Sequence, residues 1–176
     1  MLEEVILVDE QDNVLGLMEK MEAHRLAKLH RAFSVFAMND RNEILLQRRA
    51  LHKYHSGGLW TNTCCSHPRD GETVETAAKR RLMEEMGFTC EVSKIFSFIY
   101  KAELDNDLTE HELDHVLIAR WNQDPVVNPD EADSFEWRSV DWVALDMKQH
   151  PEKYTVWFKI IYDKFLNFWN NEDHGI

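Results

Sequence analysis

The sequence TVETAAKRRLMEEMG, residues 73–87, gives the clearest structural signal in the chain. The side-chain oxygen of Thr73 suits the N-cap of a helix, and Gly87 suits the position just after a helix ends. Between them, apolar residues recur at helical spacing and form one stripe, which comprises Val74, Ala77, Ala78, Leu82 and Met86. The pattern predicts an amphipathic helix over residues 73–86.

Charged residues occupy another side of this predicted helix. Arg80 precedes Glu84 by four residues, and Arg81 precedes Glu85 by the same interval. Side chains at this spacing are neighbours on a helix surface. Two interpretations stay open: exposed ion pairs, which contribute little to stability, or a helix face that presents carboxylates and guanidinium groups to a metal-bound anion.

Residues 61–68, TNTCCSHP, lie upstream of the helix and combine two thiols with an imidazole and small polar residues. Gly57 and Gly58 precede this stretch, which favours a loop or a strand end over a helix interior. Cys64 and Cys65 are adjacent and suit a disulfide poorly, because a bridge needs Cα atoms about 4.4–6.8 Å apart. One thiol is therefore available for chemistry, unless both are small buried side chains beside a histidine.

The remaining periodic segments predict a sheet and two further helices. Short apolar or alternating runs predict strands at Val5–Val8, Val14–Met18, residues 32–39, Glu43–Arg48, Ile95–Tyr100, Val116–Trp121 and Phe135–Val140. A short helix capped by Ser139 or Asp141 is expected to reach Gln149, and a last helix is expected with Pro151 in its first turn. A frayed tail is expected from Asn170. No repeat or long linker divides the chain, so we expect a single domain over residues 1–176.

Two groups of residues suggest a metal. His24 and His30 are six residues apart, so they would lie roughly 240° apart on a helix but on one side of an extended segment. They need partners from elsewhere to form a site. In an extended segment Glu110 and Glu112 share a face that His111 does not. Two adjacent carboxylates are unfavourable unless a cation lies between them or one is protonated, which is the strongest local indication of a metal.

Composition and charge exclude several classes of function. The chain of 176 residues carries a net charge of −12, which makes nucleic acid an unexpected partner. No apolar run approaches the roughly 18 residues needed to span a bilayer. The acidic N-terminus lacks the basic start of a targeting segment. Three cysteines, two of them adjacent, indicate a reducing compartment, and we expect a cytoplasmic protein.

Two clusters of basic residues lie in the first half of the chain: Arg48-Arg49 with Lys53, and Lys79-Arg80-Arg81. They are either solvated surface charge or a binding site for a small anion such as a phosphate. Strand alternation places Arg48 and Arg49 on opposite faces, so at most one of them is expected to reach a given site.

Residues 66–88 resemble the Nudix box, G-x5-E-x7-R-E-U-x-E-E-x-G-U, in which U is apolar. The matching residues are Glu72, Arg80, Leu82, Glu84, Glu85, Gly87 and Phe88. Two positions depart from it, because Ser66 replaces the first Gly and Arg81 replaces a Glu. Nudix hydrolases use that Glu for the metals of diphosphate cleavage. An arginine there is expected to abolish hydrolysis and to hold an intact diphosphate.

The departure at Arg81, together with TNTCCSHP at 61–68, Arg48-Arg49-Ala50 and the Glu110/Glu112 pair, resembles type I isopentenyl-diphosphate isomerase. The similarity extends in order from Glu19-Lys20 to Trp157. It implies an α+β fold with a Nudix-type mixed β-sheet core flanked by helices, an N-terminal strand extension and a C-terminal helix. It also implies interconversion of isopentenyl and dimethylallyl diphosphate through a tertiary carbocation (EC 5.3.3.2), in isoprenoid biosynthesis.

The resemblance also implies roles for individual residues. Cys65 and Glu112 match the proton-handling pair, Tyr100 matches the residue that hydrogen-bonds the glutamate, and Trp157 matches the aromatic that faces the cation, although core packing would also explain it. The expected diphosphate contacts are Lys20, Arg49, Lys53 and Arg81. A Zn²⁺ or Mn²⁺ site is expected from His24, His30, His67, Glu110 and Glu112, and a Mg²⁺ bound with the diphosphate is expected at Glu85.

Two other functions compete with the isomerase. A Nudix hydrolase of nucleoside diphosphate derivatives would carry the full set of box carboxylates, which Arg81 interrupts. A zinc-stabilised binding domain without catalytic activity would use Cys64, Cys65 and His67 as ligands. The expected partner of the isomerase is a small isoprenoid diphosphate, and the sequence leaves open whether the protein is a monomer or a dimer.

Overall fold

The computed structural model describes residues 2–172, and this part of the chain forms nine strands and four α-helices. The strands are β1 (Glu4–Val8), β2 (Val14–Glu19), β3 (His30–Met38), β4 (Glu43–Arg49), β5 (Trp60–Thr61), β6 (Cys64–Ser66), β7 (Val92–Glu103), β8 (Thr109–Arg120) and β9 (Ala132–Ser139). The helices are α1 (Lys20–Arg25), α2 (Val74–Met86), α3 (Val140–Gln149) and α4 (Val156–Asn171). The expected α+β class is confirmed.

The sheet is mixed and is organised around β3. Strand β3 pairs in parallel with β8 and antiparallel with β1, β4 and β6. Strand β7 extends the sheet beyond β8, and β9 extends it beyond β4. The pairing of β3 with β8 places His30 opposite Glu112, and its pairing with β6 places Ser34 opposite Cys65. The sheet register therefore brings residues that are distant in sequence to one end of β3.

The predicted helix at residues 73–86 is confirmed as α2. The Thr73 hydroxyl oxygen accepts a hydrogen bond from the Thr76 amide at 3.1 Å. Gly87 ends the helix with φ +72°, and a Cβ there would lie 2.6 Å from the carbonyl oxygen of Val126, so only glycine fits. The predicted apolar stripe packs on one face of the sheet, against Val35 and Leu45 among others.

Helices α3 and α4 cover the other face of the sheet. Phe165 of α4 stacks on Phe36 of β3 with ring centroids 4.2 Å apart. Burial of one such side chain contributes about 1.5–3 kcal/mol. Alternate residues of β3 reach the two cores, since Val35 faces α2 whereas Phe36 faces α4. The sheet is therefore buried on both sides, which holds the end of β3 in a fixed position.

The predicted strands are confirmed in place, with differences at their ends. Strands β7 and β8 run over 92–103 and 109–120, because they pair along their whole length as a hairpin, including the polar residues that the apolar pattern missed. Ser139 is the cap of α3, with its oxygen 3.2 Å from the amide of Trp142. The short strands β5 and β6 carried no periodic signal.

The end of the chain differs in part from expectation. Pro151 begins a separate 3₁₀ turn, Pro151–Lys153, and α4 begins at Val156 after its cap Thr155, so the expected place of Pro151 in the first turn of the last helix is wrong. Helix α4 continues to Asn171, so residues 170 and 171 are helical, where a frayed tail was expected. The rest of that prediction falls mainly on residues 173–176, which lie outside the described residues. Within residues 2–172, none of the helices combines the length and apolar character that crossing a membrane requires.

Candidate active site

A cavity of about 70 Å³ opens where α1, β4, β6, α2, β8 and the first turn of α4 meet. Its walls contain nearly every residue that the sequence singled out, namely Lys20, His24, Arg49, Lys53, Cys65, His67, Arg81, Glu85, Tyr100, Glu110, Glu112 and Trp157. His30 is fully buried and contacts the wall residues His67 and Glu112 instead. The structure therefore brings the candidate site residues together.

Five of these residues form one cluster of potential metal ligands. Each of His24, His30, His67, Glu110 and Glu112 offers a nitrogen or oxygen atom, and these atoms all lie within 4.8 Å of one another. Glu112 is flanked directly by His30 on β3 and by Tyr100 on β7. His111 points the other way and contacts the carbonyl oxygen of Ala27, as alternation predicts.

His24 and His30 do not share one element, as the two spacing arguments assumed. His24 lies on α1, whereas His30 begins β3, and Leu26 to Leu29 turn the chain between them. Nδ1 of His24 lies 2.7 Å from the carbonyl oxygen of Lys20, and Nδ1 of His30 lies 2.8 Å from that of Lys28. A carbonyl oxygen only accepts hydrogen bonds, so Nδ1 of each ring must carry the proton. In the neutral ring Nε2 then has a free lone pair and is available as a metal ligand.

The donor set fits a divalent cation. Nε2 of His30 lies 3.2 Å from Nε2 of His67, which in turn lies 3.0 Å from a carboxylate oxygen of Glu112. Oε2 of Glu110 is buried, lies 3.3 Å from Nε2 of His24 and makes no hydrogen bond within residues 2–172. The nitrogen and oxygen lone pairs of this cluster point toward one another and are buried, with too few protons to form hydrogen bonds between them. Such an arrangement is unfavourable unless a cation binds between the lone pairs. Imidazole and carboxylate together suit Zn²⁺ or Mn²⁺.

The pKa shifts of the residues in the cluster are consistent with binding of a divalent cation. Burial and the neighbouring Glu112 raise the pKa of Glu110. Burial alone would also raise the pKa of Glu112, but hydrogen bonds with His30, Glu110 and Tyr100 lower it to about 2. Burial and His30 lower the pKa of His67 well below its ordinary value, which keeps the ring neutral as a ligand must be.

The two adjacent cysteines have different surroundings. Cys64 is fully buried in the core beneath α2. Cys65 lines the cavity, and its Sγ lies 3.0 Å from Oδ1 of Asn62 and 3.3 Å from the hydroxyl of Ser34. Burial raises the pKa of the Cys65 thiol, so it is protonated at neutral pH. Among residues 2–172 the metal-ligand cluster contains no cysteine, which contradicts the zinc-domain alternative.

Three basic residues of the cavity, Lys20, Lys53 and Arg81, are paired with carboxylates. Arg81 contacts Glu84 at 2.8 Å, Glu131 at 3.3 Å and also Glu85. Lys53 contacts Glu131 at 2.7 Å. Both side chains of the two basic clusters that line the cavity beside Glu131 therefore face carboxylates, and whether they bind an anion belongs to the proposed function.

Of the arginine pair, Arg49 reaches the cavity, whereas Arg48 pairs with Asp133 on another face at 2.6 Å. The alternation of side chains along a strand predicted this outcome, in which only one of the two arginines faces the cavity. The guanidinium of Arg49 lies 5.1 Å from the ring centroid of Trp157. Trp157 is both a core residue and a wall residue, and its buried Nε1 has no hydrogen-bond partner in the part of the chain that the structure describes.

Sequence reasoning missed several wall residues. His55, in the loop between β4 and β5, meets Trp157 edge to face at 5.5 Å, and burial lowers its pKa to about 3. Gln47 donates to Glu85 at 2.9 Å. Glu131, in the loop before β9, bridges Lys53 and Arg81. A single polar residue in an irregular loop gives no periodic signal.

Comparison with known proteins identifies the family. Residues 28–158 match the model of the NUDIX domain. An isopentenyl-diphosphate Delta-isomerase of Pectobacterium atrosepticum is 49% identical over 168 residues, which cover 96% of this chain and 94% of the relative. One of Photobacterium profundum is 51% identical over 171 residues, covering 94% and 95%. This chain belongs to the isopentenyl-diphosphate Delta-isomerase family.

Solved Nudix structures agree with this family assignment at the level of the fold. The crystal structure of DR0079 from Deinococcus radiodurans has a TM-score of 0.70 at 22% identity, over 84% of this chain and 90% of that one. The MutT protein of Methanosarcina mazei Go1 has a TM-score of 0.65 at 18% identity, over 82% and 96%. The Nudix-type mixed sheet expected for an isopentenyl-diphosphate Delta-isomerase is thereby confirmed.

Proposed function

We propose that this chain interconverts isopentenyl diphosphate and dimethylallyl diphosphate (EC 5.3.3.2), a step of isoprenoid biosynthesis, with the residues of the described cavity. Relatives with about half of their residues identical over nearly the whole chain are isopentenyl-diphosphate Delta-isomerases. The observation that carries the residue assignment is that Cys65 and Glu112 line the same cavity, next to the metal-ligand cluster.

Cys65 and Glu112 handle the protons in this proposal. An unactivated alkene is a weak base, and its protonation gives a tertiary carbocation that must then lose a proton from a neighbouring carbon. One group must donate and another must accept, and both must stand within hydrogen-bond reach of the hydrocarbon. The protonated thiol of Cys65 can serve as the proton donor, and the ionised carboxylate of Glu112 can serve as the proton acceptor. Tyr100 donates to Glu112 at 2.8 Å and fixes its orientation.

The histidine and glutamate cluster would hold Zn²⁺ or Mn²⁺, which when bound supplies positive charge that orients Glu112 and alters its acidity. Glu85 would hold Mg²⁺ together with the substrate diphosphate. Glu85 is buried and lies beside Gln47 and Arg81, so the side chain is already held toward the cavity. The divalent requirement follows from the donor types, and the particular ions are part of the proposal.

Lys20, Arg49, Lys53 and Arg81 bind the diphosphate in this proposal. Their present carboxylate partners include Glu3, Glu84 and Glu131. A bound diphosphate with its Mg²⁺ would exchange some of these ion pairs for charge-assisted hydrogen bonds to phosphate oxygens. Arg81 replaces a carboxylate that a hydrolase needs, so the diphosphate is held without being cleaved.

Trp157 would face the carbocation. An indole ring attracts a cation through its negative face and carries no nucleophile that would trap it. The short distance between Trp157 and the Arg49 guanidinium supports this, since the ring already accepts a cation at its face. Enclosure by Tyr54, His55 and Trp157 also helps to exclude water, which would quench the carbocation.

The proposal includes a setting for the enzyme. All three cysteines are free thiols, which supports a reducing compartment such as the cytoplasm. A net charge of −12 disfavours nucleic acid, and a small isoprenoid diphosphate is the proposed partner.

The test is an NMR measurement in heavy water with Mg²⁺ and isopentenyl diphosphate. We expect deuterium to enter the substrate and dimethylallyl diphosphate to form, with no phosphate or pyrophosphate released. Release of phosphate from isoprenoid or nucleoside diphosphates without isomerisation would show a hydrolase instead. Absence of both reactions, with Zn²⁺ or Mn²⁺ also supplied, would contradict the proposed function.

A further inference from the structure

Asn62 is fully buried and contacts the thiol of Cys65. Its Nδ2 lies 3.0 Å from the carbonyl oxygen of Val35 and 3.1 Å from that of Cys64. Carbonyl oxygens only accept hydrogen bonds, so this end of the side chain must be the NH₂ group. Oδ1 is therefore directed to the other side, where Cys65 Sγ and Thr61 Oγ1 each donate to it at 3.0 Å.

The hydrogen bonds continue from Asn62 to the start of α4. Thr61 Oγ1 accepts from Thr155 Oγ1 at 3.2 Å. Thr155 is the N-cap of α4, and its hydroxyl oxygen accepts from the amide of Phe158 at 3.3 Å. Trp157 follows two residues after Thr155. A continuous buried chain of hydrogen bonds thus joins the thiol to the helix turn that carries the indole.

A second polar group contacts the sulfur from β3. Ser34 Oγ lies 3.3 Å from Cys65 Sγ and donates to a carboxylate oxygen of Asp114 at 2.8 Å. A cysteine side chain rotates only about χ1, so contacts from Asn62 and Ser34 together select one position for Sγ.

We propose that Asn62 is a positioning residue that holds Cys65 Sγ at the substrate and, through Thr61 and Thr155, in a fixed relation to Trp157. This inference rests on the proposed isomerase function. Asn62 belongs neither to the metal-ligand cluster nor to the diphosphate contacts, so its effect passes through the thiol. A displacement of about 1 Å between reacting groups can lower a rate by about 10²-fold, so the position of Sγ controls turnover.

The first test compares steady-state kinetics of matched variants. Asn62→Leu removes the acceptor at similar volume, and we expect kcat to fall by about 10²-fold with KM changed by less than about threefold. Thr61→Val removes one hydroxyl at constant shape and should lower kcat by about tenfold, whereas Thr61→Ser should recover most of it. A folded Asn62→Leu variant with unchanged kcat, or a Thr61→Ser variant as impaired as Thr61→Val, would overturn the proposal.

The control is Asn39→Ala. Asn39 is also buried, but it accepts hydrogen bonds from the amides of Arg41 and Glu43 in the turn between β3 and β4. Its loss should lower Tm while kcat stays at the wild-type value. A fall in kcat of the same size as in Asn62→Leu would attribute the effect to lost stability and would count against positioning.

A spectroscopic measurement tests the hydrogen bond even if Asn62→Leu does not fold. The infrared difference between the unmodified protein and Cys65→Ala isolates the S–H stretch of Cys65. We expect this band at lower wavenumber than the S–H stretch of a thiol without a hydrogen-bond acceptor, and we expect Thr61→Val to move it. A Cys65 band at the position of a free thiol would overturn the inference, whereas failure of the wild-type protein to isomerise would overturn the proposed function instead.

Discussion

At the scale of the residue, the adjacent side chains of Cys64 and Cys65 in β6 lie on opposite faces of the sheet. Cys64 packs with Val35 and Leu82 in the core beneath α2, whereas Cys65 lines the cavity. The alternation of side chains along a strand explains this separation. The sequence predicted that one thiol would be free for chemistry, and family resemblance selected Cys65, because adjacent cysteines cannot be distinguished by composition.

The first prediction separates the two thiols. We expect Cys65→Ala to abolish turnover with little change in Tm, because it removes the group that handles a proton. Cys64→Ala should lower Tm slightly and leave kcat within about threefold, since a small core side chain is shortened. Isomerase kinetics and thermal unfolding measure both effects. Equal loss of kcat in the two variants would remove Cys65 from its proposed role.

The second prediction concerns Arg81. Arg81→Glu would leave Glu84, Glu85 and Glu131 without their shared cation and would bring a further carboxylate to the diphosphate site. We expect KM for isopentenyl diphosphate to rise at least tenfold. Arg81→Lys serves as the control, because it keeps the charge but loses the bidentate geometry, and KM should rise less. A KM for Arg81→Glu equal to that of the wild type would contradict a diphosphate contact.

At the scale of the element, the loop over residues 51–58 forms part of the cavity wall and is anchored at several points. Arg49 donates to the carbonyl oxygen of His55 at 3.2 Å, and Asn106 donates to that of Tyr54 at 3.0 Å. A Cβ at Gly57 would lie 2.5 Å from the carbonyl oxygen of Leu51, so the loop closes only with glycine there.

The third prediction uses this glycine. Gly57→Ala should displace the loop and with it His55, which contacts Trp157, so we expect kcat/KM to fall about tenfold or more. Gly71→Ala is the control, because Gly71 lies outside the cavity wall and has a positive φ of 79°, and no atom of residues 2–172 lies within 4 Å of the added Cβ. Gly71→Ala should cost some stability and leave kcat/KM unchanged. Unaltered kinetics in Gly57→Ala would show that the loop does not shape the site.

Helices and strands with a clear periodic spacing of apolar residues were predictable from the sequence, and those without such spacing were not. The apolar stripe and caps of α2 specified the helix from sequence, because they are local features. The same holds for the apolar runs of β3 and β4. Strand β8 was predicted only from Val116, because its first half carries the polar residues of the site, which break the apolar pattern. Helix α1 is six residues long, too short for a periodic signal.

At the scale of the whole molecule, the site depends on pairings between distant strands. The parallel pairing of β3 with β8 places His30 beside Glu112, although the two residues are 82 positions apart in the sequence. Spacing within one segment cannot reveal such a contact, so the metal-ligand set came from family resemblance. Glu131 lines the cavity, and Asn62 contacts Cys65 from the fully buried side. The sequence marked residues 61–68 as a motif but indicated no role for Asn62, and it gave no sign of Glu131.

The fourth prediction links the metal to global stability. Glu110 and Glu112 repel each other in the cluster, so removing a bound cation should destabilise the fold. We expect a strong chelator to lower Tm by several degrees and Zn²⁺ or Mn²⁺ to restore it, with one unfolding transition if residues 1–176 form a single domain. His24→Ala should abolish the metal-dependent part of Tm. A Tm that is insensitive to chelator and to added metal would contradict the site.

The ion pairs around Arg81 bear on how the family could have arisen from hydrolases. Three carboxylates, on Glu84, Glu85 and Glu131, share one guanidinium group, although Glu131 also pairs with Lys53 and Glu84 with Arg80. Reversing that arginine alone would crowd acidic groups that now neutralise it. A single change at position 81 alters the local charge by two units, so Glu131 and Lys53, which pair with each other, are the first positions at which to seek accompanying substitutions in relatives.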